Sequence, residues 1–362
     1  MKNVCFLLGN AKGDGGIARV VSIITNELAQ YEDLKITIVS YSLSRIENDY
    51  EYNKRITLLK LFDHDTPMVK GILKEHAIAL MKEIIQKEQI DIVFACGDLY
   101  FPLAIMSCRG SKAKCFCWEH SDPRGTTDHK FQKICRELAV LMADKILVLT
   151  KAAEKIYVSD YKAKQDRIIQ IYNPVSNEAY SSKIYDINSK KIISVGRLSY
   201  QKNFQLLISI AREVFQDRND WVWDIYGEGE DRSNLEQLIA EYHLEGRVNL
   251  KGQVDNLYSV YNQYSFQVMT SRYEGFPMSL LEGAANNLPL ISFDIPTGPS
   301  EIIVDGLNGY LIKNENIEEM TNKIKLMMNN SLLRNDMSKQ AGEMVRQFSL
   351  EHIIQRWRLI CK

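Results

Sequence analysis

The feature that most constrains this chain is a pattern that runs through it twice: short, continuous apolar stretches alternate with amphipathic helical ones. Residues 4–8 (VCFLL) open the first run. A glycine-rich turn from Gly9 to Gly16 then leads into a helix with Ile17, Val20, Val21, Ile24 and Leu28 on one face. Further strands are expected at 36–40, 90–95, 114–118 and 145–149, with an amphipathic helix near 72–87. Continuous apolar runs suit strands covered on both faces, the condition of a parallel sheet. Near Tyr172 the chain turns, and polar, irregular 176–191 reads as a linker. The pattern then restarts. Strands at 191–195, 221–226 and 248–251 alternate with helices at 204–215 and 235–242, and helices at 317–329, 332–348 and 350–360 close the chain. The expectation is an α/β fold of two doubly wound parallel-sheet domains, 1–175 and 176–348.

Length agrees, since 362 residues suffice for two full cores. A formal net charge of -1 gives no bulk attraction for nucleic acid. Seven cysteines, six of them before residue 136, form no CxxC pair, and Cys115-x-Cys117 alone is poor zinc spacing. No metal is expected. An odd cysteine count and a start that runs from Met1 into a strand predict reduced thiols in the cytoplasm. No apolar run approaches the roughly 18 residues of a spanning helix.

The chemistry concentrates in SRYEGFPMSLLEGAANNLPL, residues 271–290. Glu274 and Glu282 have seven residues between them, across a Gly275-Phe276-Pro277 turn. The turn follows a strand-like run at 266–270 and precedes a helical pattern, with Pro277 suited to the first helical position. N–H groups from Phe276 through Met278 to Ser279 would face a phosphate, and each carboxylate could accept from hydroxyls on either side. Spacing alone equally fits an acidic loop ahead of a core helix whose Glu282 faces water. A second cluster, Gly196-Arg197-Leu198 with Gln201-Lys202-Asn203, places Arg197 and Lys202 where both could meet one anion, with Asn203 capping the next helix. A pair of surface cations is the plainer alternative.

These segments resemble family 4 glycosyltransferases. EGFP…LLE matches the family's donor-site signature, PTGPSEII and DGLNGYLI its continuation, and VGRL with QKN its diphosphate loop. The resemblance implies the GT-B fold, in which two Rossmann-like domains face a cleft and the last helix, about 349–362, packs back on the first. It implies a retaining transfer from a nucleotide diphosphate sugar, assigns Glu274 to the sugar hydroxyls and Glu282 to the ribose, and has Arg197 and Lys202 stabilise the leaving diphosphate. Tyr226-Gly227-Glu228-Gly229-Glu230 resembles the family's G-x-G-x-E/D, whose glycines let the backbone pass near the nucleotide. Gly252-Gln253-Val254 resembles the loop holding the base through main-chain atoms. His120 in WEHSDP takes the place of the family's cleft-facing His, with Glu119 beside it.

Gly13-x-Gly15-x-x-Ala18 also matches a loose dinucleotide fingerprint, but no acid follows the second strand to hold a ribose, which argues against a nicotinamide oxidoreductase. A structural turn, or a loop in which Gly15 and Gly16 admit a diphosphate, remain the alternatives. GGIAR departs from the family's GGAER in lacking the Glu. AANN departs from ALA-x-G, predicting a local change in the turn before Pro289. The overall similarity is to bacterial galactosyl- and N-acetylhexosaminyltransferases of surface polysaccharide synthesis. That implies a UDP-sugar donor, a lipid-linked or saccharide acceptor and peripheral contact with the inner membrane leaflet. Lys130, Lys133 and Arg136 are candidates for that contact, or else a solvated helix face. A GT-B epimerase or hydrolase and a non-catalytic nucleotide-binding protein are the competing readings.

Overall fold

The computed structural model describes residues 1–13, 15–42, 50–62, 75–125, 130–180, 185–216, 218–254 and 256–362. The chain forms two compact units. One comprises Met1–Pro174 with Leu350–Lys362, and the other Val175–Ser349.

The first unit is built on seven strands: β1 Lys2–Leu8, β2 Leu34–Ser42, β3 Thr57–Phe62, β4 Ile92–Cys96, β5 Lys114–Trp118, β6 Lys145–Val148 and β7 Ile168–Gln170. Their order is β3-β2-β1-β4-β5-β6-β7, parallel throughout. Strands β3 and β7 were not expected from the sequence. Both are edge strands, one interrupted by exposed Lys60 and the other three residues long, so neither carries a continuous apolar run. The helix expected near 72–87 is described over Glu75–Lys87; residues 72–74 lie outside the described residues. The closing helix, Leu350–Ile360, belongs to this unit and sets Trp357 among Phe6, Phe94 and Trp118, with ring centroids 4.6–5.9 Å apart.

The second unit has six parallel strands: β8 Lys191–Val195, β9 Val222–Tyr226, β10 Val248–Gly252, β11 Phe266–Met269, β12 Leu290–Asp294 and β13 Gly309–Lys313. Their order is β10-β9-β8-β11-β12-β13. Each sheet therefore reverses its winding once, between β1 and β4 and between β8 and β11. Outside the carboxyl ends of the strands, that reversal opens the crevice where such sheets bind ligands. Asn287, where the family pattern has glycine, takes a φ of 60°. Asparagine tolerates this left-handed conformation better than other side-chain-bearing residues.

Candidate active site

The two loops at the β8/β11 switch point are stitched together. After β8, the chain runs through Gly196–Asn203 into the helix Phe204–Phe215; after β11, it runs through Ser271–Pro277 into the helix Met278–Ala285. Arg272 N–H donates to the Gln201 carbonyl at 2.8 Å, and Gln201 Nε2 donates to the Tyr273 carbonyl at 3.0 Å. Between them Lys202 Nζ meets Glu274 Oε1 at 2.6 Å, both side chains mostly enclosed, and Gln201 Nε2 reaches Glu274 Oε2 at 3.4 Å. The Thr297 hydroxyl donates to the Glu274 carbonyl from the PTGPSE segment. A lysine carries three donors and an ionised carboxylate about four acceptor positions, so the pair holds each group in place and leaves both with capacity for a ligand.

Gly196 is part of this arrangement. A Cβ there would come within 2.8 Å of Lys202 Cε, so the lysine stem lies across the bare glycine backbone. Gly196→Ala is expected to push aside the flexible lysine and also to strain a backbone held at a φ of 158°. Turnover should fall, and the melting temperature should drop by several degrees, the effect of about 1–3 kcal/mol. A normal kcat in this variant would show that the lysine's position does not matter.

The Met278–Ala285 helix starts one residue later than expected, because Pro277 is its N-cap and not its first helical residue. Pro277 is fixed from outside: Gly298, at a φ of 104°, lies so close that a side chain there would strike the proline ring. Phe276 is buried, its ring 5.5 Å from that of Phe348, while Gly275 and Met278 are half-exposed. The first N–H groups of the helix, at Met278 and Ser279, have no intrahelical acceptor, and the Ser279 hydroxyl is buried with no partner among the described residues. Glu282 lies one turn further on, 2% exposed, with the Tyr261 hydroxyl 3.3 Å from its Oε2. It does not face water, which removes the plainer reading of that carboxylate.

Several expectations need correction. Arg197 does not converge with Lys202: its side chain is 77% exposed and 3.8 Å from Glu230. Asn203 holds the N-cap position but at a φ of 57° and without a side-chain cap, so only its carbonyl receives the helix's first N–H groups. The Tyr226 side chain turns into the core, where its hydroxyl meets that of Tyr264 at 2.9 Å, itself donating to Asp224. Only the Tyr226 main chain, accepting from Gly196 N–H at 3.0 Å, reaches the switch-point loop. Gly227 and Gly229 serve loop packing. A Cβ on Gly227, at a φ of 137°, would overlap the Gly196 carbonyl, and one on Gly229 the Leu198 carbonyl. Val254 is half-buried against the cluster containing Tyr226 and Tyr261.

In the first unit, Gly15 is the N-cap of the helix Gly16–Leu28, and nothing lies within 4 Å of a Cβ added at Gly15 or Gly16. His120 follows β5, half-buried, its ring tilted on Trp118 with centroids 4.2 Å apart. Its Nε2 is enclosed with no partner among the described residues, and burial lowers its pKa to about 3, so the ring is neutral at pH 7. Arg136 is not a surface cation. It is 1% exposed and ion-paired with Asp98 and Glu119, which removes it from any membrane-facing set. Among the described residues, no group of three His, Cys, Asp or Glu is placed to hold a metal ion.

Two family models divide the chain between them. The model for glycosyltransferase family 4 matches residues 14–179, and that for glycosyl transferases group 1 matches residues 180–344. The chain belongs to glycosyltransferase family 4. As a family 4 glycosyltransferase, it is a retaining enzyme that draws on a nucleotide-sugar donor. The amylovoran biosynthesis glycosyltransferase AmsD of Erwinia amylovora is 26% identical, with 99% of each chain aligned. A Campylobacter jejuni N-acetyl-D-galactosaminyltransferase that extends a GalNAc-containing saccharide on diphospho-undecaprenol is 22% identical, over 99% of this chain and 97% of the other. The fold is GT-B. The crystal structure of a Staphylococcus aureus TarM variant, bound to fondaparinux, α-GlcNAc-glycerol and UDP, superposes with a TM-score of 0.82 at 19% identity, covering 100% of both chains. Among the described residues no helix is long and apolar enough to cross a membrane.

Proposed function

We propose that this enzyme moves a hexose or N-acetylhexosamine from a UDP-sugar to a hydroxyl of a lipid-linked glycan in surface polysaccharide synthesis. The observation that carries the reading is the Lys202–Glu274 pair at the β8/β11 switch point, beside the start of the Met278–Ala285 helix. The helix start and Lys202 suit the diphosphate, Glu274 the transferred sugar, and Glu282 the ribose. Transfer breaks the bond between the anomeric carbon and the β-phosphate oxygen and forms one to the acceptor oxygen on the same face. The departing phosphate takes the acceptor's proton. Retaining glycosidases place two carboxylates about 5 Å apart around the anomeric carbon. Here Lys202 is bound to Glu274, and Glu282 is committed to the ribose, so neither acts as nucleophile. Charge that grows on the leaving phosphate is met by a fixed cation, which favours the transition state over the ground state. Gly15, Gly16 and Val254 are assigned to donor contacts through the main chain. Neutral His120 serves as a hydrogen-bonding group toward the transferred sugar or the acceptor. UDP in the TarM complex supports the base, and the Campylobacter enzyme's polyprenyl-linked substrate supports the acceptor class.

The test is nucleotide release by the purified enzyme with UDP-, GDP- and ADP-sugars, with and without a membrane lipid extract. Release of UDP alone, rising with the extract, is expected. Release that needs no acceptor would favour an epimerase or hydrolase, and an inverted product would end the front-face path.

A further inference from the structure

The first unit buries a group of charges that the proposed transfer does not use. Arg136, on the helix Lys130–Met142, donates from Nη2 to Asp98 Oδ2 and from Nε to Glu119 Oε2, both at 2.6 Å. The hydroxyl of Tyr157, on the helix Lys151–Ser159, donates to the same Glu119 oxygen at 2.9 Å. Asp98, Glu119, Arg136 and Tyr157 are each 5% exposed or less. Two strand ends thus meet on the guanidinium of one helix, and a second helix joins them through Glu119. Taking three charges out of water costs several kcal/mol per ion, and a well-packed apolar trio is often as stable. Burial and the neighbouring Glu119 charge push Asp98 up to about 7, which eases but does not remove that cost.

What an apolar trio would not supply is the placement of the next residue. Glu119 spends its other oxygen, Oε1, on the N–H of Ser121 at 3.0 Å, and its own N–H donates to the Leu147 carbonyl at 2.8 Å. His120 stands between these two anchored residues with its ring against Trp118. Turning the imidazole by rotating the backbone at 120 would break the Ser121–Glu119 bond, and moving Glu119 would break its bonds to Arg136 and Tyr157. The loop is held at both flanks.

We propose that Asp98, Glu119, Arg136 and Tyr157 form a positioning device that fixes the imidazole of His120, with Glu119 as the link and Arg136 as the anchor. This rests on the role given to His120 above. Glu119→Gln keeps the size of the side chain and removes its charge; Tyr157→Phe removes one donor and keeps the ring. Glu119→Gln is expected to lower kcat about 10-fold or more, the cost of a reacting group displaced by a fraction of an ångström, with KM for the nucleotide sugar little changed. In a His120→Ala background the same change should cost under about 2-fold, because the two residues act as one unit. Equal losses in both backgrounds would overturn the proposal and leave the network a stabilising one. The His120 imidazole resonance, followed by NMR, gives a second readout independent of turnover. It is expected to shift in Tyr157→Phe as well as Glu119→Gln, and Tyr157→Phe carries the test if Glu119→Gln does not fold. An unmoved resonance in a folded variant overturns the proposal. Full activity in His120→Ala with a shifted resonance would instead fault the catalytic reading of His120 and keep the positioning claim.

Discussion

Lys202→Ala is expected to lower turnover by ~10²-fold or more, the scale on which removal of one preorganised charge-stabilising group acts. The lysine lies in a mostly enclosed pair with Glu274, its stem across Gly196, so its amino group is fixed before any ligand arrives. A fixed cation needs no rearrangement when charge develops on the leaving diphosphate, so its loss falls mainly on kcat. Glu282→Ala should behave differently. That carboxylate sits deep behind the helix start, where the reading assigns it to the ribose, which does not react. Its removal should raise the dissociation constant for the nucleotide and leave kcat at saturation less affected. Steady-state kinetics and direct nucleotide binding on both variants separate the two roles. Unchanged turnover in Lys202→Ala would sink the assignment. A stability loss is also expected in that variant, since Glu274 would keep a mostly buried charge with its cation gone. Lys202→Arg, which retains a cation, serves as the control.

Trp357→Ala should destabilise the first unit by about 3–5 kcal/mol, the range for removing a fully buried large aromatic. The residue is 0% exposed and packs on Phe6, Phe94 and Trp118. It comes from the last helix, so the 13 residues Leu350–Lys362 complete a core whose neighbouring rings, Phe6, Phe94 and Trp118, lie more than two hundred positions earlier. Urea unfolding read through a probe in residues 1–174 should show the midpoint fall sharply. A shift worth less than about 1 kcal/mol would mean that the surrounding rings close over the cavity.

Much of the architecture was legible because parallel strands must be apolar on both faces. The stretches at Lys114–Trp118, Lys191–Val195, Phe204–Phe215 and Leu350–Ile360 carry clear patterns and appear with those bounds. Edge strands β3 and β7 were not legible, since one-sided burial weakens the pattern. Arg136 was misread for a geometric reason. Residues three apart on a helix fall about 60° short of a full turn, so Arg136 lies about 120° round from Lys130. That rotation carries it to the face of Cys135 and Ala139, which are buried.

The sequence by itself determined that the chain alternates strand and helix twice, and which short loops carry glycines, cations and carboxylates at strand ends. Only the tertiary structure decided how those residues are used. Lys202 bonds Glu274 across 72 positions, Tyr226 spends its hydroxyl on Tyr264, Gly227 makes room for the Gly196 carbonyl, and Glu119 is committed to Arg136. A side chain's partners depend on which loops the sheet order makes neighbours. In a parallel sheet wound in two directions, the loops after β8 and β11 meet although they are far apart in the chain.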